Sequence, residues 1–141
     1  MKSSSSQVSA LRLIKWCTQW QDKKNWEKVP INLRGVYVLH KGDPKHDIYN
    51  VAYIGMAASG TGIKRRLKIH CRSKRKGDKW THFSFYVVWE NIRDEEIREL
   101  ECLLQEIYRK DSHANLLARQ KGCQKIKDIR EENPKKWPPH D

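Results

Sequence analysis

Apolar and polar residues alternate with a period of two in three stretches at the centre of the chain. In residues 35–39, Val36 and Val38 fall on one face of an extended segment and Tyr37 and Leu39 on the other. In residues 51–55, Tyr53 shares its face with Val51, opposite Ile54. In residues 81–89, Phe83, Phe85, Val87 and Trp89 alternate with His82, Ser84, Tyr86 and Val88. Each run is rich in β-branched and aromatic residues and reads as a strand. Between the first two lie Lys41-Gly42-Asp43-Pro44-Lys45-His46-Asp47, a turn-forming segment, so these strands are expected to form an antiparallel hairpin. Tyr37 and Tyr53 can then stand side by side on one sheet face.

Helical spacing appears on both sides of these strands. Leu13, Cys17 and Trp20, with Ile14 and Trp16 alongside, predict a helix over residues 9–22 capped by Ser9. Its role is packing, unless Trp16 and Trp20 form an exposed platform. A small-residue loop, Met56 to Gly62, leads into a helix starting near Thr61 or Gly62 and reaching Ser73. Its apolar stripe is Ile63, Leu67 and Cys71 or His70, with Arg66 and His70 one turn apart. Asp94 is a candidate cap for a long helix to Tyr108 or Arg109, with Ile97, Leu100, Leu103, Leu104, Ile107 and Tyr108 as its buried stripe. A last amphipathic stretch covers residues 123–130.

These elements predict an α+β fold: a small, three-stranded, mostly antiparallel sheet flanked by helices, with an extra N-terminal helix. Residues 1–8 read as a disordered N-terminus, 9–132 as a single domain, and 133–141 as an extended tail. At 141 residues, one domain with a real core is the expectation. No apolar run approaches the roughly 20 residues of a membrane span, and no signal peptide is legible, so the expected location is cytoplasmic. Cys17, Cys71, Cys102 and Cys123 include no close pair of zinc-site type and read as free thiols, partly buried, rather than zinc ligands or disulfides.

Charge changes the picture. The net charge is +12, which makes a polyanionic partner plausible through counterion release. Residues 64–79 hold nine Lys or Arg against one acid, Asp78, whereas residues 94–111 carry seven of the seventeen acids. Lys64, Arg65, Lys68, Arg72, Lys74, Arg75, Lys76 and Lys79 are therefore candidate nucleic-acid contacts, the alternative being a solvated helix face. Glu101 lies within the apolar stripe of the long helix, where a carboxylate is costly unless a metal ion or a cation such as Arg66 pairs with it.

In the order strand, strand, helix, strand, helix, the polar side chains out of place are Tyr37, Tyr53, Arg66, His70, Glu101 and Asn115. Across roughly residues 35–117 this pattern resembles the GIY-YIG nuclease superfamily. Gly35-Val36-Tyr37 and Tyr53-Ile54-Gly55 stand for its two signature triplets, with Val36 replacing isoleucine. Arg66-Leu67-Lys68-Ile69-His70 looks like its catalytic helix, Glu101 like its metal-binding glutamate, and Asn115 like its late asparagine. The chain departs from the pattern in a longer loop between the tyrosines and an extended loop before the helix. Met56 also stands where some members carry a lysine, whose role is then missing or moved to Lys64.

The resemblance implies a metal-dependent endonuclease that hydrolyses phosphodiester bonds in DNA, with RNA also open, using one Mg²⁺ or Mn²⁺ on Glu101. Hydrolysis needs an activated water, charge stabilisation on the phosphate and help for the leaving oxygen. A hard carboxylate ligand suits such an ion, Arg66 can grip a phosphate oxygen, and His70 can orient a tyrosine or move a proton. Tyr37 is the expected general base and Tyr53 its partner, although a phenol near pKa 10 needs help to ionise. The rival reading is a nucleic-acid-binding module of the same fold with a degenerate site. Monomer and homodimer are equally open.

Overall fold

The computed structural model describes residues 12–43, 45–74 and 77–109. The expectations for residues 1–8, 123–130 and 133–141, and for Arg75, Lys76 and Asn115, lie outside the described residues. The fold is α+β. Strands β1 (Ile14–Asp22), β2 (Gly35–Asp43), β3 (Ile48–Ala57) and β4 (His82–Val88) form one sheet in the order β1-β4-β2-β3, every neighbour antiparallel. Helix α1 (Ile63–Arg72) follows β3, α2 (Asp94–Arg109) follows β4, and a short 3₁₀ helix (Lys23–Lys28) follows β1.

The expected hairpin forms, with longer strands than the apolar runs alone indicate. Tyr37 pairs with Gly55 and Leu39 with Tyr53 across it. As expected, β2 divides its side chains between two cores. Tyr37 and Leu39 join Ile63 and Leu67 of α1, Trp80, Phe83 and Phe85. Val36 and Val38 join Ile54, Met56, Val88 and Ile97 of α2. The sheet is therefore covered by α1 on one face and α2 on the other. Each helix brings its buried stripe to a sheet face that alternation has already made apolar.

Several expectations are corrected. The segment read as an N-terminal helix over 9–22 is strand β1 from Ile14 onward, so the described residues form four strands rather than three. The same residues carry a helical and a two-residue pattern together, and pairing with the otherwise open edge of β4 decides for the strand. β1 is irregular: its register against β4 shifts twice, and Trp20 takes a positive φ of 54° where its N–H donates to Ser84 Oγ. Trp16 stands edge-on to Phe85 and Trp20 leans on Tyr49, each on its own ring instead of on one shared platform.

Val51 is not on the face of Tyr53. The β2–β3 register slips between Leu39 and His40, leaving Ala52 as an extra residue, and Val51 packs with Ile54. A bulge shifts one residue's facing, which periodicity cannot reveal. On α2, Ile97 is fully buried and Leu100, Leu104 and Tyr108 pack beside it, while Leu103 and Ile107 are exposed. Asp94 opens α2 without serving as its cap. The Arg93 carbonyl accepts the N–H groups of Glu96 and Ile97, and Glu96 Oε1 accepts the Arg93 N–H. Asp94 instead accepts hydrogen bonds from Arg34 and Ser59, fastening the helix start to the loops beside it. Cys17 and Cys71 are free thiols, but Cys102 is disulfide-bonded, because sequence spacing does not say which distant cysteines meet.

Candidate active site at the open edge of the sheet

Among the described residues β3 is an edge strand, and the two helices flank that edge from opposite faces. Tyr37 comes from β2, Tyr53 from β3, Arg66 and His70 from α1, and Glu101 from α2. Tyr37 is buried, at 2% exposure. Its Oη lies 2.7 Å from His70 Nε2, in a buried hydrogen bond. The Tyr53 ring stacks beside it at 6.3 Å, and the His70 ring is 4.7 Å from Tyr53. His70 is placed by the helix: Ile63, Leu67 and His70 are its buried side chains, three or four residues apart on one face.

Arg66 is one turn before His70 and exposed, with its charge acting on Tyr37, Tyr53 and Glu101. Glu101 is partly buried, and the N–H of Met56 on the β3 edge is hydrogen-bonded to its carboxylate. One turn further along α2, Gln105 Nε2 donates to the Ile54 carbonyl at 3.1 Å. Two side chains of α2 thus occupy the backbone groups that an edge strand leaves open, and this fixes where Glu101 projects. Sequence reasoning missed Gln105, since a glutamine at a partly polar helix position carries no signal of an edge strand beside it.

The electrostatics follow from burial. Desolvation pushes the Tyr37 phenol far above its ordinary value, with the Tyr53 and Glu101 charges adding to the rise and Arg66 opposing it. Tyr53 is also raised, first by burial, then by Glu101, again opposed by Arg66. Burial raises Glu101 as well, against Arg98, Arg66 and the Met56 N–H. Both phenols are therefore protonated near neutrality, and the Glu101 carboxylate is balanced first by Arg98 and then by Arg66.

Five of the six residues selected in the sequence meet in one place, and Asn115 lies outside the described residues. Among the described residues no three His, Cys, Asp or Glu side chains gather as a metal cluster. Glu101 alone is a donor set for an ion that keeps most of its waters, as Mg²⁺ does. The described lysines and arginines of the basic run lie on and beyond the side of α1 turned away from His70. Lys64, Arg65, Lys68 and Arg72 line the outer side of α1, and Lys74 and Lys79 are exposed beyond its end. Among the described residues, none of these six makes an ion pair. Three other histidines lie away from this cluster: His40 is buried on β2 against Ser84 Oγ, His46 pairs with Asp43, and His82 contacts Thr81. No protein-family model matches the chain, and no curated protein matches it either.

Proposed function

We propose that this chain is a metal-dependent endonuclease of the GIY-YIG type, hydrolysing phosphodiester bonds in DNA. The observation that carries the reading is the Tyr37–His70 hydrogen bond of 2.7 Å, set beside Tyr53 in the joint field of Arg66 and Glu101. A pair of buried tyrosines occurs in many cores. A buried tyrosine bonded to a histidine, next to an arginine and a half-buried carboxylate, suits proton transfer, and the helix that carries the histidine has a basic outer side suited to a polyanion.

The burial of Tyr37 shapes the mechanism. Free phenolate is too costly there to serve as a standing base, so the phenol acts as a relay. Its O–H donates to the neutral Nε2 of His70. As a water oxygen bonds to phosphorus and the bond to the leaving sugar oxygen breaks, Tyr37 takes the proton of the water and passes its own to His70. His70 then releases that proton to solvent, the leaving sugar oxygen takes up a proton from solvent to become a hydroxyl, and the phenol is never left charged. Arg66 grips a non-bridging phosphate oxygen and holds the phosphorus in line. Glu101 would hold a divalent cation, which when bound supplies Lewis-acid stabilisation of the phosphate and leaving oxygen. Tyr53 orients the water and the Tyr37 hydroxyl. Tyr53 is the more open of the two phenols, and this supports a second reading in which Tyr53 meets the water first and Tyr37 anchors His70.

The test is direct. Labelled single-stranded, duplex and branched DNA, and RNA, are incubated with the protein and Mg²⁺, Mn²⁺ or chelator, with Glu101→Gln as control. Metal-dependent cuts that the control lacks are the expected result. A folded protein that binds these substrates in a mobility-shift assay but cuts none of them with either metal is the binding module instead.

A further inference from the structure

A groove runs along the outer side of α1, away from the face that carries His70. It encloses about 700 Å³, within the span of small-ligand sites. Trp26 of the 3₁₀ helix, Ile31 of the following loop and Ile69 of α1 give it apolar walls. Ile31 and Ile69 are 70% and 51% exposed, so two branched aliphatic chains face water beside an aromatic ring. Around them stand Lys64, Arg65, Lys68 and Arg72, and among the described residues no carboxylate lines the groove. The end nearest Gly60 and Thr61 adjoins the start of α1, where Gly62 supplies no side-chain cap and the helix dipole adds positive potential.

Cations alone would suit any polyanion. Apolar walls beside them suit a narrower class, because a continuous duplex keeps its base faces stacked inside and presents phosphates. A strand with unpaired bases can lay one flat face on an aromatic or aliphatic surface while its phosphates meet the rim. We propose that this groove is a subsite for an unpaired nucleobase, packed against Trp26, Ile31 and Ile69 with its flanking phosphates on Lys64, Arg65, Lys68 and Arg72. The preferred substrate class is then nucleic acid with unpaired bases beside the cut, in preference to uninterrupted duplex. The catalytic half of this inference rests on the nuclease reading; the binding half does not. The groove and the Tyr37–His70 pair are separated by the thickness of one helix, roughly 10 Å, so a single strand crossing α1 can reach both.

The experiment measures fluorescence anisotropy of a labelled oligothymidine strand and of a strand of equal length built from abasic units, on Glu101→Gln protein with chelator. The thymidine strand should bind about tenfold more tightly, the size expected for one stacked base. In the Ile31→Ser/Ile69→Ser protein that preference should shrink below about threefold while abasic affinity is unchanged, since the phosphates and their cations are untouched. Both side chains are largely exposed, and an unaltered melting temperature shows that the variant is folded. Equal affinity for the two strands, or a preference that survives the double substitution, overturns the proposal. Cleavage assays on the unsubstituted protein separate the two readings. Base preference without cleavage leaves the groove and removes the nuclease. Cleavage without base preference does the reverse.

Discussion

Gly55 stands directly opposite Tyr37 across the β2–β3 ladder, and the phenol of Tyr37 lies over it so closely that a Cβ there would overlap the hydroxyl and the ring. The glycine is required by this close approach, since it is the space into which the tyrosine folds on its way to His70. Gly55→Ala should displace the Tyr37 ring, cost about 1–3 kcal/mol of stability as overpacking does, and remove most cleavage. Chemical denaturation and single-turnover assays on the same preparation check both. A variant with full activity would mean that the Tyr37–His70 contact is not needed.

Tyr37→Phe keeps the ring and its packing while deleting the hydroxyl of the proposed relay. Single-turnover cleavage should fall by roughly 10²–10⁴, the range of general acid–base catalysis, with oligonucleotide affinity unchanged. Tyr53→Phe should cost less. Because the proposed relay needs no free phenolate, the log rate of the wild type should level off before the tyrosine range near pH 10. The opposite ranking of the two variants would hand the water-facing role to Tyr53, and full activity in both would end the tyrosine mechanism.

Glu101→Gln should abolish cleavage while making the metal-free protein more stable at neutral pH. Burial raises the Glu101 pKa above 4.5, so the folded state holds its proton more tightly than the unfolded chain. Below pH 4.5 both states are protonated and no penalty exists. As pH rises through that value the unfolded chain ionises first, and folding stability is lost until the folded carboxyl also ionises. Melting curves of the two proteins should converge in acid and separate toward pH 7, with Gln higher. Adding Mg²⁺ should raise the wild type alone.

The basic run is tested by salt. If Lys68, Arg72 and Lys74 each neutralise a duplex phosphate, replacing all three with Ala should lower the slope of log affinity against log salt by about 0.9 for each phosphate no longer neutralised. An unchanged slope would make these side chains a solvated surface.

His40 should make the fold acid-sensitive independently of the site. Burial, with His82 adding, lowers its pKa from 6.5 to about 4 against the opposing Tyr49 backbone group. The unfolded chain therefore takes up a proton first, and stability present above pH 6.5 is lost as pH falls toward 4. The loss amounts to about 3 kcal/mol over that window. His40→Gln can keep the bond to Ser84 without titrating, and its denaturation midpoint should fall less between pH 7 and 4. Parallel pH profiles would contradict this.

How much of this was legible beforehand divides along physical lines. Strands β2 and β4 and helices α1 and α2 are readable because alternation and helical spacing are local and the chain keeps to one period in each. Arg66 and His70 follow from the same logic, since residues four apart on a helix share a face whatever packs against it. Glu101 stands out because a carboxylate in an apolar stripe is anomalous wherever the helix goes. β1 was not legible: residues 14–22 satisfy both periods, and only the vacant edge of β4 chooses between them. The facing of Val51 turns on one extra residue in a ladder, which has meaning only once a partner strand exists. Gly55 can be seen as a glycine in sequence, but its necessity comes from the tyrosine across the ladder. Gln105 acquires its role from an edge carbonyl about fifty residues away, and Trp26 acquires its groove from a helix it precedes by a whole hairpin. The sequence determined which side chains were candidates, through local spacing and chemistry. Only the tertiary structure decided which of them meet, because edges, bulges and close approaches are relations between segments that no single segment contains.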